Sequence, residues 1–120
     1  MIEPIPGLPE NAIGFEATGT VTDSDYKSVI IPAVEALFAR RSKVRFLYHL
    51  GDGFSGFDAG AAWDDTKLGP KHLGGWERMA VVSDVEWIRA AVKIFGLAIP
   101  GQVRVFRNSE LAEAKHWIAE

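Results

Sequence analysis

The chain has 120 residues, 16 acidic and 13 basic side chains, a formal net charge of −3 and no cysteine. That length suits one domain around one hydrophobic core, with about two thirds of the unfolded surface leaving water on folding. The lack of cysteine excludes a disulfide scaffold, thiolate metal sites and a cysteine nucleophile, and the acidic balance argues against nucleic acid as a partner.

A single domain is expected over residues 1–120, with no internal repeat or linker. The first residues carry no basic, apolar leader. The stretch Ala80 to Ala98 is interrupted by Asp84, Glu86, Arg89 and Lys93, which rules it out as a membrane span. The expected setting is cytoplasmic, with peripheral membrane contact as a variant. The compositional excess is aromatic: seven Phe, four Trp and two Tyr.

Ile2 to Leu8 contains Pro4 and Pro6 and reads as an edge strand. Leu8-Pro9-Glu10-Asn11 is a turn, and Ala12 to Val21 alternates as the second arm of a hairpin. Thr22-Asp23-Ser24-Asp25 has the form of a capping box. Tyr26, Ile30, Ala33, Val34, Leu37 and Phe38 then recur at helical spacing to Arg40 or Arg41, with Pro32 expected to kink the helix. Arg40, Arg41, Lys43 and Arg45 gather where that helix ends.

Lys43 to Leu50 puts Val44, Phe46, Tyr48 and Leu50 on one face and Arg45, Leu47 and His49 on the other, and reads as a largely buried, central strand. Gly51 to Phe57 is expected to be a glycine-rich loop, followed by a helix from Asp58 to about Leu68 that Gly69-Pro70 stops. Trp76 to Ser83 is a strand. Asp84 is expected to cap a helix through Phe95, which Gly96 and Pro100 end. Gln102 to Arg107 is a short strand, and Asn108 or Ser109 starts a last helix with Leu111, Ala114, Trp117 and Ile118 inward. The order ββαβαβαβα predicts an α/β fold: a mixed five-stranded sheet with four helices, one antiparallel hairpin and then parallel strands joined by crossovers.

Several segments in this order resemble the SpoIIAA-like family, which is related to STAS domains and more distantly to Sec14/CRAL-TRIO lipid-binding domains. They are Asp25-Tyr26 with Pro32, the Phe54/Phe57 glycine segment, Trp63-Asp64-Asp65-Thr66-Lys67, Arg78 to Trp87, Val103 to Phe106, and Ala114 to Ile118. The resemblance implies a STAS-like architecture and a non-enzymatic binding or regulatory role. It also implies a comparison at Ser55, because STAS antagonists of anti-sigma factors carry a phosphorylated serine at a helix start. Here the Asp-Ser-Ser-Gly run of those proteins is replaced by Asp52-Gly53-Phe54-Ser55-Gly56. Ser55, with Asp58 three residues on, otherwise reads as a simple cap.

Two segments carry the aromatic surplus. Phe54 and Phe57 lie among glycines, and Trp87, Ile94, Leu97 and Ile99 widen the apolar stripe of the third helix beyond what a core face needs. These two segments are expected to flank one opening. The candidate ligand-binding residues are Phe54, Phe57, Trp63, Trp87, Phe95 and His49. The candidate membrane-contact residues are Trp87, Ile94, Leu97 and Ile99, and Ser55 is the candidate regulatory serine. Arg89 and Lys93 stand beside the surplus, where an anionic amphiphile would meet them. His72 and His116 have no second ligand at helical spacing, Asp64 and Asp65 diverge on one helix, and no metal or other cofactor is expected.

No P-loop, nucleophile elbow or dinucleotide fingerprint occurs. The expected function is therefore non-enzymatic binding of a small apolar or amphipathic ligand. The alternatives are a regulatory domain docking a protein partner through Ser55, a homodimer, and a small enzyme acting through His49 and Asp52.

Overall fold

A computed structural model describes residues 2–58 and 73–120, Leu73 in backbone only. Its strands are β1 (Ile2–Pro4), β2 (Ala12–Val21), β3 (Val44–Phe57), β4 (Trp76–Ser83) and β5 (Gln102–Phe106). They form one sheet in the order β1-β2-β3-β4-β5, with β1 antiparallel to β2 and every later pairing parallel. The mixed five-stranded sheet expected from the sequence is present.

Three helical regions are described. Helix α1 covers residues 23–40, as a turn of α-helix (Asp23–Asp25), a π segment (Tyr26–Ile30) and a longer α segment (Ile31–Arg40). Helix α2 is Glu86–Gly96, and α3 is Leu111–Ala119 behind a 3₁₀ turn at Asn108–Glu110. The helix expected from Asp58 to Leu68 lies outside the described residues apart from Asp58, which is non-helical and donates its N–H to the Val21 carbonyl.

The capping box at Thr22 is made in both directions: the Thr22 hydroxyl accepts from the Asp25 N–H, and the Thr22 N–H donates to the Asp25 carboxylate. Pro32 has no N–H for the carbonyl four residues back. The ladder relaxes one turn earlier into the π segment, where the Ile31 N–H reaches the Tyr26 carbonyl. The expected irregularity is thus a widened turn. It begins at Tyr26, whose hydroxyl lies 3.1 Å from that of Tyr48 in the core.

Alternation along β3 divides the interior in two. Val44, Phe46, Tyr48 and Leu50 face α1 and α2 in the larger cluster, together with Phe15, Val21, Ile30, Val34, Trp76 and Ile88. Leu47 faces the other way, with Ala80, Val82, Phe106, Ala114, Trp117 and Ile118. Helices α1 and α2 connect parallel strands laid down in one direction, and right-handed crossovers put both on the same face. Helix α3 follows the last strand and covers the other.

Strand β3 runs further than expected. Gly51 to Phe57 is not a free loop: it continues β3 alongside β2, with Gly19 opposite Phe54, Thr20 opposite Gly56 and Val21 opposite Phe57. Register shifts around Gly19 absorb the extra residues of β3, and Gly19 takes a positive φ of 65° there. Ser55 consequently lies within a strand, which corrects its expected place at a helix start.

Gly101, just before β5, is packed so closely that a Cβ would collide with the Trp76 and Glu77 carbonyls of β4. Backbone cannot swing aside as a side chain can. Gly101→Ala is expected to cost at least about 2 kcal/mol in a urea titration. Gly74→Ala, where a Cβ meets nothing within 4 Å, is expected to stay within about 0.5 kcal/mol of the parent.

Candidate functional site

An apolar pocket lies between the sheet and α2. Its floor is Phe46, Tyr48 and Leu50 of β3, Met79 and Val81 of β4, and Val103 of β5. Trp87, Ile88, Ala91, Val92 and Phe95 of α2 form the wall, and Phe57 closes the end of β3. The cavity measures about 140 Å³. A polar contact near its floor is the Tyr26–Tyr48 hydroxyl pair. The rim is aromatic: Phe54 packs edge-on against Phe57 at 5.0 Å between centroids, and Phe57 against Trp87 at 6.3 Å.

Helix α2 is set on this wall by its own sequence. Ile88, Val92 and Phe95 turn toward the sheet, while Trp87, Ile94 and Leu97 remain 62%, 71% and 88% exposed. Arg89 fixes the rotation. Its Nη1 donates to the Ser83 carbonyl at 3.0 Å and to the Phe106 carbonyl at 2.8 Å, at the C-terminal ends of β4 and β5. The Ser83 side chain is fully buried, and its Oγ accepts from the Val85 N–H at the helix entry. Asp84 does not cap the helix as expected: Val85 occupies the cap, and the Asp84 carboxylate accepts from the Asn108 N–H, tying α2's entry to the start of the last helix.

The structure brings Phe57, Trp87 and Phe95 together as pocket residues, with Phe54 behind Phe57 on the rim. Trp63 lies outside the described residues, as do Asp64, Asp65 and His72. His49 is not in the pocket: the period of two along β3 places it on the opposite face, with Nδ1 3.0 Å from a Glu16 carboxylate oxygen. Its ring lies against Gly51, where a Cβ would come within 2.9 Å of Nε2. Asp52, the other member of the expected His49 pair, accepts instead from Asn108 Nδ2 at 3.3 Å. Ile99 is buried at 6% exposure and leaves the membrane-contact set, because the turn after α2 folds it into the core. Arg89 also leaves the set of cations offered to a ligand, since its guanidinium holds two carbonyls.

Signals missed in the sequence are the floor residues Met79, Val81 and Val103. Each looks like an ordinary core residue of an alternating strand, and nothing local separates a filled position from one beside a cavity.

On the opposite face, charged side chains surround the second apolar cluster. Arg45 and Arg78 donate to the Ile118 and Trp117 carbonyls at 2.7 Å each, placing positive charge at the C-terminal end of α3. Arg45 also pairs with Glu77 at 2.6 Å, and Arg104 lies over the Phe106 and Trp117 rings. A shallow groove lies beside α3, where Glu113, His116 and Glu120 join Arg104 in mixed charge. Among the described residues no group of three His, Asp or Glu side chains is arranged to hold a metal ion. Among them, too, no helix is long and apolar enough to cross a membrane.

The fold is that of a SpoIIAA-like protein: the SpoIIAA-like family model matches residues 12–119, and the chain belongs to that family. A crystal structure from Shewanella loihica PV-4 is similar to it. It is described as an uncharacterized protein of the DUF3478 family with a SpoIIAA-like fold, and it superposes with a TM-score of 0.77 at 26% identity over 98% of this chain and 92% of the other. No curated protein matches the sequence.

Two measurements test how α2 is held. Arg89→Ala is expected to lower stability by about 2 kcal/mol, because two buried-end carbonyls lose a charged donor, while Lys93→Ala stays within about 0.5 kcal/mol. The second concerns Glu86, whose carboxyl is held below the ordinary glutamate range by the hydrogen bond from Arg107 and then by its charge. A depressed carboxyl stabilises the fold above its unfolded pKa, and that contribution is lost as pH falls through the folded value. In an NMR titration Glu86 is expected to titrate below ordinary glutamates, and Arg107→Ala to raise its midpoint.

Proposed function

We propose that this SpoIIAA-like domain is a non-catalytic binding module whose pocket under α2 receives one apolar group of a small or amphipathic ligand. The observation that carries the reading is the pocket itself. Of the twelve described residues that line it, eleven are wholly apolar or Trp, and the twelfth is Tyr48. Pockets of this kind bind by removing apolar surface from water, with a few polar atoms setting orientation.

Size sharpens the ligand class. An apolar cavity of about 150 Å³ holds a benzene molecule, so about 140 Å³ accepts one ring or the end of one short acyl chain. A whole fatty acid does not fit inside, so any longer ligand leaves its remainder on the surface near Phe57 and Trp87. Family membership supports a regulatory role of the STAS type for such binding, and STAS-type domains are generally non-enzymatic. The placement of Ser55 within β3 weighs against docking through a phosphorylated helix start.

Toluene is a suitable probe. In methyl-resolved NMR, toluene is expected to shift Met79, Val81 and Val103 while leaving Ala114 and Ile118 on the opposite face unmoved. Val92 lines the pocket from the half-buried side of α2, away from the exposed arc of the helix, so Val92→Phe puts a ring into the cavity, with circular dichroism confirming the fold. It is expected to weaken the toluene shifts at least tenfold. Equal shifts on both faces, or none up to the solubility limit of toluene, would overturn the reading.

A further inference from the structure

We infer that the exposed face of α2 is a contact between two copies of this chain, packed antiparallel across a two-fold axis that passes at Ala90, which leaves the facing pairs named below within about one residue rise of each other. This goes beyond ligand binding in the pocket and does not depend on it. The exposed arc of the helix presents Trp87, Ala90, Ala91, Ile94 and Leu97. Contiguous exposed apolar surface of this sort marks an interaction site. The question is what covers it.

The charges on the arc answer it. Helix α2 has three charged residues, and Arg89 is turned inward onto the Ser83 and Phe106 carbonyls. The other two, Glu86 and Lys93, are both exposed. Seven residues apart at about 100° per residue, they lie two turns apart on the same flank of the apolar arc. A two-fold axis perpendicular to a pair of antiparallel helices keeps that flank on the same side in both. It brings Glu86 of each copy opposite Lys93 of the other, twice over. Trp87 of one copy then meets Ile94 of the other, and the small Ala90 and Ala91 let the backbones approach at the axis. A surface that is complementary to itself in both shape and charge is what an isologous dimer requires.

Glu86 already contacts Arg107 in its own chain through Oε1 at 2.8 Å. A carboxylate has a second oxygen and accepts from both cations. A membrane surface is the less suited occupant. Helices that lie in a bilayer interface carry several Lys or Arg on the polar flank, whereas on this flank α2 itself carries one acid and one base, and the neighbouring Arg107 is already held by Glu86.

The test is sedimentation velocity over the micromolar to millimolar range, with circular dichroism confirming that each variant is folded. The wild-type chain is expected to show a concentration-dependent monomer–dimer equilibrium, and Ile94→Glu to abolish it. Glu86→Lys sets Lys against Lys and Lys93→Glu sets Glu against Glu, at two places in each dimer. Each alone is expected to weaken self-association by about tenfold. An equimolar mixture of the two variants pairs every Lys with a Glu, and is expected to restore association to the wild-type level as a heterodimer. A wild-type chain that stays monomeric throughout overturns the inference, as does a mixture no tighter than its components. Wild-type monomers that co-sediment with vesicles containing anionic lipid would assign the face to membranes instead.

Discussion

The guanidinium of Arg89 is the contact on which the α2 side of the molecule turns. Parallel strands end in carbonyls with no strand partner, and at the C-terminal ends of β4 and β5 two of these, from Ser83 and Phe106, converge on one side chain. Because Arg89 belongs to α2, satisfying the strand ends also sets the rotation of the helix. Ile88 and Val92 then fall against the sheet, and Trp87, Ile94 and Leu97 have nowhere to go but outward. The pocket and the exposed stripe are two results of that single rotation.

The sheet keeps its two kinds of chemistry apart. Strand β3 is buried on both faces, and its alternation sends Phe46, Tyr48 and Leu50 into the apolar side while Arg45 and His49 go to the other. Titratable groups on the second face are occupied in structure: Arg45 and Arg78 on the last carbonyls of α3, His49 on Glu16, Asp52 on Asn108. The described part of the pocket has aromatic and aliphatic walls with no acid or base among them. What such a cavity offers is shape and the removal of apolar surface from water.

Much of this was legible in the sequence where the signal was local or periodic. The capping box at Thr22, the helical spacing through Leu37 and the largely buried run of β3 all correspond to the structure, and Phe57, Trp87 and Phe95 do meet. What escaped was non-local. Gly51 to Phe57 looks like a loop because four of its seven residues are Gly or Asp, yet β2 supplies backbone partners that override that preference. Asp84 has the composition of a cap, but its carboxylate is drawn to an N–H 24 residues away. His49 stands at the carboxyl end of a central strand, where ligands of α/β sheets bind, and that place suggests it for the pocket, although the period of two along β3 puts it on the opposite face. Arg89 reads as a solvated cation until the carbonyls of two separate strands are seen to converge on it.

The two edges of the sheet bear on how copies of the molecule can meet. At one edge β1 is three residues long and ends in Pro4, which has no N–H to offer a neighbouring strand. At the other, β5 is five residues long with Arg104 at its midpoint, held over two aromatic rings. A second β5 added antiparallel about that midpoint would set guanidinium against guanidinium, which is unfavourable for directly opposed pairs. Growth of the sheet from molecule to molecule is therefore obstructed at both ends, by a missing donor at one and a repeated charge at the other.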